Sequence, residues 1–397
     1  MRNLNNKIVI PLDREFYELL QVAIGRRKSL ARSLSADEWE DLYSACETQL
    51  VLGFSFSGIQ KLPEEQMPPA ELLAKWQKVA LIENERWKRG SEICRRACET
   101  HERNGFYSCV LMTRLAQVGD KSLGFRDESL GFRGGDPKDI DILCWSKDKK
   151  DGKRTIVEYV NFQYVASTKH IKPKVVRHHV NFASGNIPLE VHFKSDYLNC
   201  PWYNKRYEAW VREMVERSSK SDSCELPVEF YVVYQLLHLY KKLFCEGIRF
   251  GHLVEYYYTL REFKDEGLEV SRPPQSPCVG GEIKDGRLEV RDERLEVMRV
   301  IANLGMRKFA GAVMYVLQTV FGMPDECLIC KADARHGSFV LNMVTLAGEY
   351  TRHIERTRTL SHLGRLGHYL YWIKRNRPFI TQYPAELFFE LYKRIRG

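Results

Sequence analysis

The chain has 397 residues, 44% of them hydrophobic, which supports a real core in two or three structural units. No apolar run is long enough for a membrane span, and Met1 to Lys7 lacks the apolar region of a signal peptide. Eleven cysteines, odd in number and without framework spacing, exclude a disulfide scaffold and argue for a reducing cytoplasm, so the expected location is cytoplasmic. The formal net charge of +9 is spread along the chain and suits phosphate-rich partners.

Residues 1–104 are expected to form an N-terminal helical region. Phe16, Leu19, Leu20 and Ala23 fall at helical spacing. Ser35-Ala36-Asp37-Glu38 is a capping box ahead of Trp39 and Leu42. Leu62-Pro63 and Met67-Pro68-Pro69 break the pattern, and Pro69-Ala70-Glu71 starts a further helix. Leu73, Trp76, Val79, Ala80, Ile82 and Trp87 stripe that helix as core.

Residues 105–200 carry the expected strands. Tyr107 to Arg114 reads as the first. A glycine-bearing loop follows, in which Ser122-Leu123-Gly124-Phe125-Arg126 recurs as Ser129-Leu130-Gly131-Phe132-Arg133. Asp139 to Trp145 is apolar except for Asp139 and Asp141, and reads as a strand. Residues two apart on a strand share a face, so these carboxylates project together while Ile140 and Ile142 anchor the other side. Like charges held that close repel unless a cation sits between them, and Mg²⁺ favours carboxylates plus substrate phosphates. Alone the motif is weak, and two surface aspartates on a solvated strand end are the plain alternative.

Lys147 to Arg154 is a polar connection, and Ile156 to Val165 is a helix or strand lying on the sheet. Val175 to Phe182 reads as one strand, Ala183-Ser184-Gly185-Asn186 as a turn, and Ile187 to Phe193 as a second strand. Leu189, Val191 and Phe193 share one face of it; Glu190 and His192 share the other. Glu190 thus supplies a third carboxylate from a distant element. Neighbours on a strand face opposite ways, so only one of His178 and His179 is expected to join Glu190. His192 is the candidate for a supporting role beside Glu190, and His238 and His252 read as structural.

Residues 201–397 are expected to form a C-terminal helical region, with a flexible insertion or small hairpin at 262–296 marked by Pro273-Pro274, Pro277 and Gly280-Gly281. Helical pattern returns over 298–321, 340–358 and 387–395. Arg352, Arg356, Arg358, Arg365, Lys374, Arg375 and Arg377 read as a solvated basic face. Cys327-Leu328-Ile329-Cys330 has no second pair or histidines at zinc-site spacing.

In this order the motifs resemble the uncharacterised bacterial nucleotidyltransferase family of the DNA polymerase β-like superfamily. The resemblance rests most on Asp139-Ile140-Asp141 and on Leu189-Glu190-Val191-His192-Phe193. His178-His179, the helix Tyr231 to Tyr240 and Glu255 are weaker echoes. It implies an α+β fold: a small mixed sheet with a nucleotidyltransferase-like core between helical regions. It also implies Mg²⁺ (or Mn²⁺) on Asp139, Asp141 and Glu190, and ATP or another nucleoside triphosphate as substrate. The implied reaction is transfer of a nucleoside monophosphate to a hydroxyl on a small molecule, sugar, protein or RNA. Thr113, Arg126, Arg133, Lys138 and His192 are the candidate nucleotide contacts. One departure stands out: Met112-Thr113 occupies the place where such proteins carry a small Lys-Gly or Gly-Ser pair that lets a triphosphate approach the backbone. The competing classes are a nucleotide-binding or regulatory module that has lost catalysis, and an RNA-binding protein using the basic helices.

Overall fold

A computed structural model describes residues 12–111, 140–148, 152–166, 173–184, 187–220, 226–270, 293–347 and 362–396. Among them are thirteen α-helices and one five-stranded mixed sheet, an α+β architecture. Four helices come first: α1 (Arg14–Ala23), α2 (Ala36–Thr48), α3 (Leu52–Ile59) and α4 (Ala70–Arg103). The predicted start signals hold. Ser35 caps α2, accepting from the Glu38 amide at 3.3 Å while the Glu38 carboxylate accepts from the Ser35 amide at 2.8 Å. Pro69 stands just before α4. Phe16, Leu19, Leu20 and Ala23 are all buried, as are Trp76 and Ala80 on α4, but Ile82 points to solvent.

The sheet has the order β1-β2-β5-β4-β3. Its strands are β1 (Phe106–Val110), β2 (Ile140–Ser146), β3 (Lys174–Val175), β4 (His179–Ser184) and β5 (Ile187–His192). Only β2 and β5 run parallel; the other pairs are antiparallel. Parallel neighbours need a crossover. Helix α5 (Gly152–Ala166) lies within it, so the segment read as helix or strand is a helix. The single strand expected over 175–182 is two. The chain bends at Arg177 and His178, and the Val176 amide donates to the His179 carbonyl at 2.9 Å, closing a tight turn between β3 and β4.

Strand parity divides the sheet into two unlike faces. Phe106, Val110, Ile140, Ile142, Cys144, Val180, Leu189 and Val191 pack with Cys94 of α4 and Ile156, Tyr159 and Val160 of α5. The opposite face carries Cys109, Leu111 and Leu143 under α6 (Pro201–Lys220) and α7 (Val228–Cys245), through Met214, Phe230, Tyr231 and Tyr234. The Trp145 indole adds a bond to Ser219 of α6 at 3.1 Å.

The remaining helices are α8 (Phe250–Val270), α9 (Glu293–Asn303), α10 (Arg307–Phe321), α11 (Ala334–Thr345), α12 (His362–Asn376) and α13 (Pro384–Arg396). The insertion expected at 262–296 is therefore misplaced at both ends. Helix α8 runs on through Leu268-Glu269-Val270, and α9 already contains Leu295-Glu296-Val297. Residues 271–292 lie outside the described residues. The basic face also needs correction at Arg375, whose guanidinium donates to the Leu243 carbonyl at 2.9 Å. Most C-terminal helices share one core with α1 to α4, built on residues such as Trp39, Trp76, Leu236, Phe309 and Trp372.

Ile142 is fully buried at the centre of β2, one residue from Asp141. Replacing it by Ala should cost roughly 2–5 kcal/mol of stability through lost transfer energy plus a cavity. Denaturant unfolding followed by circular dichroism measures this; an unchanged midpoint would show that β2 is not held by this face.

Candidate functional site

The parallel register places Asp141 directly beside Glu190, and the antiparallel one places Asn181 on the far side of Glu190. One row across three strands is therefore Asp141, Glu190, Asn181. Two residues further along β5, His192 pairs with His179 of β4. Parity sends all five side chains to the same face, the one covered by α6 and α7.

The contacts follow from this register. The His192 Nε2 lies 3.0 Å from the Asp141 Oδ1 and 3.7 Å from the Glu190 Oε2. The His179 Nε2 lies 3.2 Å from the same Glu190 oxygen. Each carboxylate thus has an imidazole against it. His178 also joins, with its ring centroid 4.5 Å from that of His179 and 5.1 Å from that of His192. The expectation that only one of the pair could do so was wrong. His178 precedes β4 in the bend, where strand alternation does not apply, and its carbonyl accepts from the Phe193 and Lys194 amides at 3.1 and 3.2 Å.

Charge and burial compete here. Burial acts to lower the His192 imidazole, but hydrogen bonds to Asp141 and Glu190 outweigh it and hold the ring charged, up to about 9. Burial acts to raise the Asp141 carboxyl; its bond to His192, with the nearby His238 and His179, keeps it below the ordinary carboxylate value. His178 and His179 go the other way. Burial dominates both, and His178 is driven down to about 3. Asn181 favours the charged form of His179. Even so, the Nδ1 atoms of His178 and His179 are buried with no hydrogen-bond partner among the described residues.

A cationic cluster adjoins the histidines. Tyr197 meets the His178 ring edge-on, at 5.2 Å between centroids. Arg177 at 3.8 Å, Lys241 at 3.9 Å and Lys393 at 4.8 Å stand over its ring, and Lys393 also donates to its hydroxyl at 3.0 Å. Lys241 is ion-paired with Asp196, which lies 3.9 Å from His238. The linking segment is fixed from below: the buried Glu386 of α13 accepts from the Asn199 and Cys200 amides at 2.5 and 3.0 Å. Sequence reading missed Arg177, Asp196, Tyr197, Lys241 and Lys393. They carry no motif spacing, since they come from the β3–β4 bend, the segment after β5, α7 and α13.

Of the predicted site residues, Asp141, Glu190 and His192 are brought together. Asp139, Thr113, Arg126, Arg133 and Lys138 lie outside the described residues, as does Met112. Glu255 belongs to neither group of side chains able to hold a metal among the described residues. Those groups are Asp141, Glu190, His192 and His178, His179, His192, each with ligand atoms within 4.8 Å of one another. His252 is structural: its Nδ1 accepts from the Arg249 amide at 3.1 Å. Cys327 and Cys330 pack in or against the large helical core, and burial pushes the Cys330 thiol up to about 11. No described helix is long and apolar enough to cross a membrane. Comparison with protein-family models, curated proteins and solved structures finds no match for this chain.

Two outcomes follow from this electrostatic arrangement. Asp141→Asn removes the closest support for the His192 proton, so proton NMR of the His192 ring should titrate well below about 9; an unmoved titration would deny the coupling. His192's contribution to stability is complete below its unfolded value and fades as pH rises through about 9. Asp196, buried against Lys241, has a carboxyl lowered despite burial. Its contribution is present above the ordinary aspartate value near 3.9 and is lost as pH falls through the depressed folded value. Asp196→Asn should destabilise by about 3–5 kcal/mol, because Lys241 is left buried and uncompensated. Urea unfolding at neutral pH measures that loss.

Proposed function

We propose that the chain is a nucleotidyltransferase-like protein of the reducing cytoplasm, transferring a nucleoside monophosphate from ATP or another triphosphate to a hydroxyl acceptor. The observation that carries the reading is the side-by-side placement of Asp141 and Glu190 on one face of two parallel strands. Asp141 and Glu190, with Asp139, would hold Mg²⁺ or Mn²⁺. The donor set fits: two partly exposed carboxylates lie within 4.8 Å, each engaged by an imidazole through one oxygen and with the other oxygen to offer. When bound, such a metal neutralises charge on the transferring phosphoryl group and activates the acceptor oxygen.

The chain's own residues have distinct tasks in this reading. Asp141 and Glu190 supply negative charge where a cation must sit. His192 and His179 orient these carboxylates and hold them ready. Arg177, Lys241 and Lys393 around Tyr197 give a positive rim beside the acidic pair, suited to the trailing phosphates. Thr113, Arg126, Arg133 and Lys138 remain proposed contacts to the same triphosphate. The acceptor hydroxyl belongs to a small molecule, a sugar, a protein or an RNA end.

One observation favours a second reading, a nucleotide-binding module on this fold without catalysis. Both carboxylates already have imidazole partners, and a metal must displace or share them.

The test is ATP labelled at the α-phosphate, incubated with the full chain, Mn²⁺ or Mg²⁺ and fractionated cell extract. Label transfer that disappears in Asp141→Asn and Glu190→Gln is the expected result. Metal affinity should rise in the presence of triphosphate, because its phosphates complete the coordination. Arg177→Ala should weaken triphosphate binding by roughly 1–3 kcal/mol, as for a lost hydrogen bond to a charged group. Metal-dependent ATP binding without any transfer selects the binding module. Absence of triphosphate binding in calorimetry overturns both readings.

A further inference from the structure

The three histidines at the end of β4 and β5 require an explanation that the carboxylate pair does not supply. His178 sits in the bend before β4, His179 opens β4 and His192 closes β5. His179 and His192 are cross-strand partners, and the amides that follow His192 bind the His178 carbonyl. One ring nitrogen of each lies within 4.8 Å of the others. His179 and His192 are 7% and 3% exposed. Buried imidazoles ordinarily satisfy both nitrogens, yet the Nδ1 atoms of His178 and His179 have no partner among the described residues.

Two of the rings also face carboxylates. His179 meets the Glu190 carboxylate through Nε2 at 3.2 Å, and His192 meets the Asp141 carboxylate through Nε2 at 3.0 Å. A histidine that ligates a metal commonly gives its remaining ring N–H to a carboxylate, which fixes the tautomer and makes the free nitrogen a better ligand. With the proton on Nε2, the lone pair lies on Nδ1, the atom left without a partner in His179. The third ring, His192, faces the Asp141 carboxylate with Nε2 and the Lys194 carbonyl, at 3.3 Å, with Nδ1, so it gives up a proton when it joins the metal.

From this geometry we propose that His178, His179 and His192 form a binding site for a borderline divalent transition metal of the Zn²⁺ class. Imidazole nitrogen suits that class, whereas Mg²⁺ and Ca²⁺ take oxygen. Three histidines leave a fourth position open for water or a substrate group, as in catalytic zinc sites. Asp141 and Glu190 stand behind the rings as positioning residues, and the carboxylate oxygens not bonded to imidazole stay available to a second, harder cation. The site does not rest on nucleotidyl transfer: its metal binds without nucleotide and in the absence of any reaction.

Zn²⁺ alone is the probe. The full chain is stripped with chelator, given Zn²⁺, desalted and assayed for metal by mass spectrometry. One equivalent per chain is expected. Zinc-edge X-ray absorption should show only nitrogen and oxygen neighbours near ~2.0 Å, with three imidazoles. Co²⁺ in place of Zn²⁺ should give visible bands that Zn²⁺ bleaches. His178→Gln and His179→Gln should each weaken Zn²⁺ at least tenfold, and Asp141→Asn about 10- to 100-fold through loss of the supporting carboxylate. Circular dichroism of each variant separates loss of the site from loss of the fold. The wild type decides the matter by itself. Retention of no zinc overturns the proposal. So does a shell containing sulfur, which would assign the metal to thiols such as Cys94 and Cys98 or Cys327 and Cys330. Undiminished affinity in the double variant His178→Gln/His179→Gln has the same force. Failure of ATP binding or label transfer leaves this outcome untouched.

Discussion

The parallel pairing of β2 with β5 is the constraint on which the site depends. Parallel neighbours keep corresponding residues side by side, so Asp141 and Glu190 meet although 49 positions separate them, as the residue numbers give by subtraction. A slip of one residue would send Glu190 to the apolar face and Leu189 to the polar one. The register is held by burial: Ile140, Ile142, Leu189 and Val191 all face α4 and α5 and are nearly or fully buried. Apolar packing on one side of the sheet thereby fixes the position of charge on the other. That is an economical way to hold like charges together, because the repulsion is opposed by contacts that water cannot weaken.

The other side is not simply wet. Cys109, Leu111 and Leu143 continue the covered face toward α6 and α7, and it turns polar from Asp141 of β2 across β5 to β4. Tyr234 of α7 is buried near Asp141 and Asp196, and burial first, then these carboxylates, raises its phenol far above the usual value. A neutral tyrosine wall lowers the local dielectric, which strengthens every charge interaction facing it. The histidines then provide counter-charge in graded form. His192, caught between two carboxylates, stays protonated, while His178 and His179, more strongly governed by desolvation, stay neutral.

Much of this was legible in the sequence, for identifiable reasons. Alternation over Ile187 to Phe193 gave the correct face for Glu190 and His192, because β5 is a regular strand with one apolar side. The capping box at Ser35 and the helical stripe at Phe16 are local signals, and they read correctly. What failed depended on departures from regular backbone. The bend at Arg177 and His178 has no glycine or proline to announce it, so two strands looked like one and His178 and His179 were expected on opposite faces. The ends of α8 and α9 were hidden because Leu-Glu-Val repeats occur on both sides of the proline-rich stretch and suit either helix or strand. Arg177, Lys241 and Lys393 were invisible for a different reason: their convergence on Tyr197 is purely tertiary.

That convergence bears on how the two halves of the site work together. An acidic pair alone repels an anionic ligand, and a cationic rim alone holds one without discrimination. Here the opposite charges are kept apart by uncharged groups, since His178 and Tyr197 lie between the Asp141 and Glu190 pair and the Arg177, Lys241 and Lys393 side chains. Direct contact would collapse them into ordinary ion pairs and cancel both fields. Lys241 is partly spent in this way on Asp196, which anchors it, while the Arg177 guanidinium carbon lies 3.8 Å from the Tyr197 ring centroid. In the proposed reading, an anion that brings its own cation would satisfy both regions at once: the cation would answer the carboxylates, and the anion Arg177 and Lys393. In the proposed reading this arrangement would favour a cation–anion complex over its separate parts, and that preference would originate in the spacing set by the β3–β4 bend and the segment after β5.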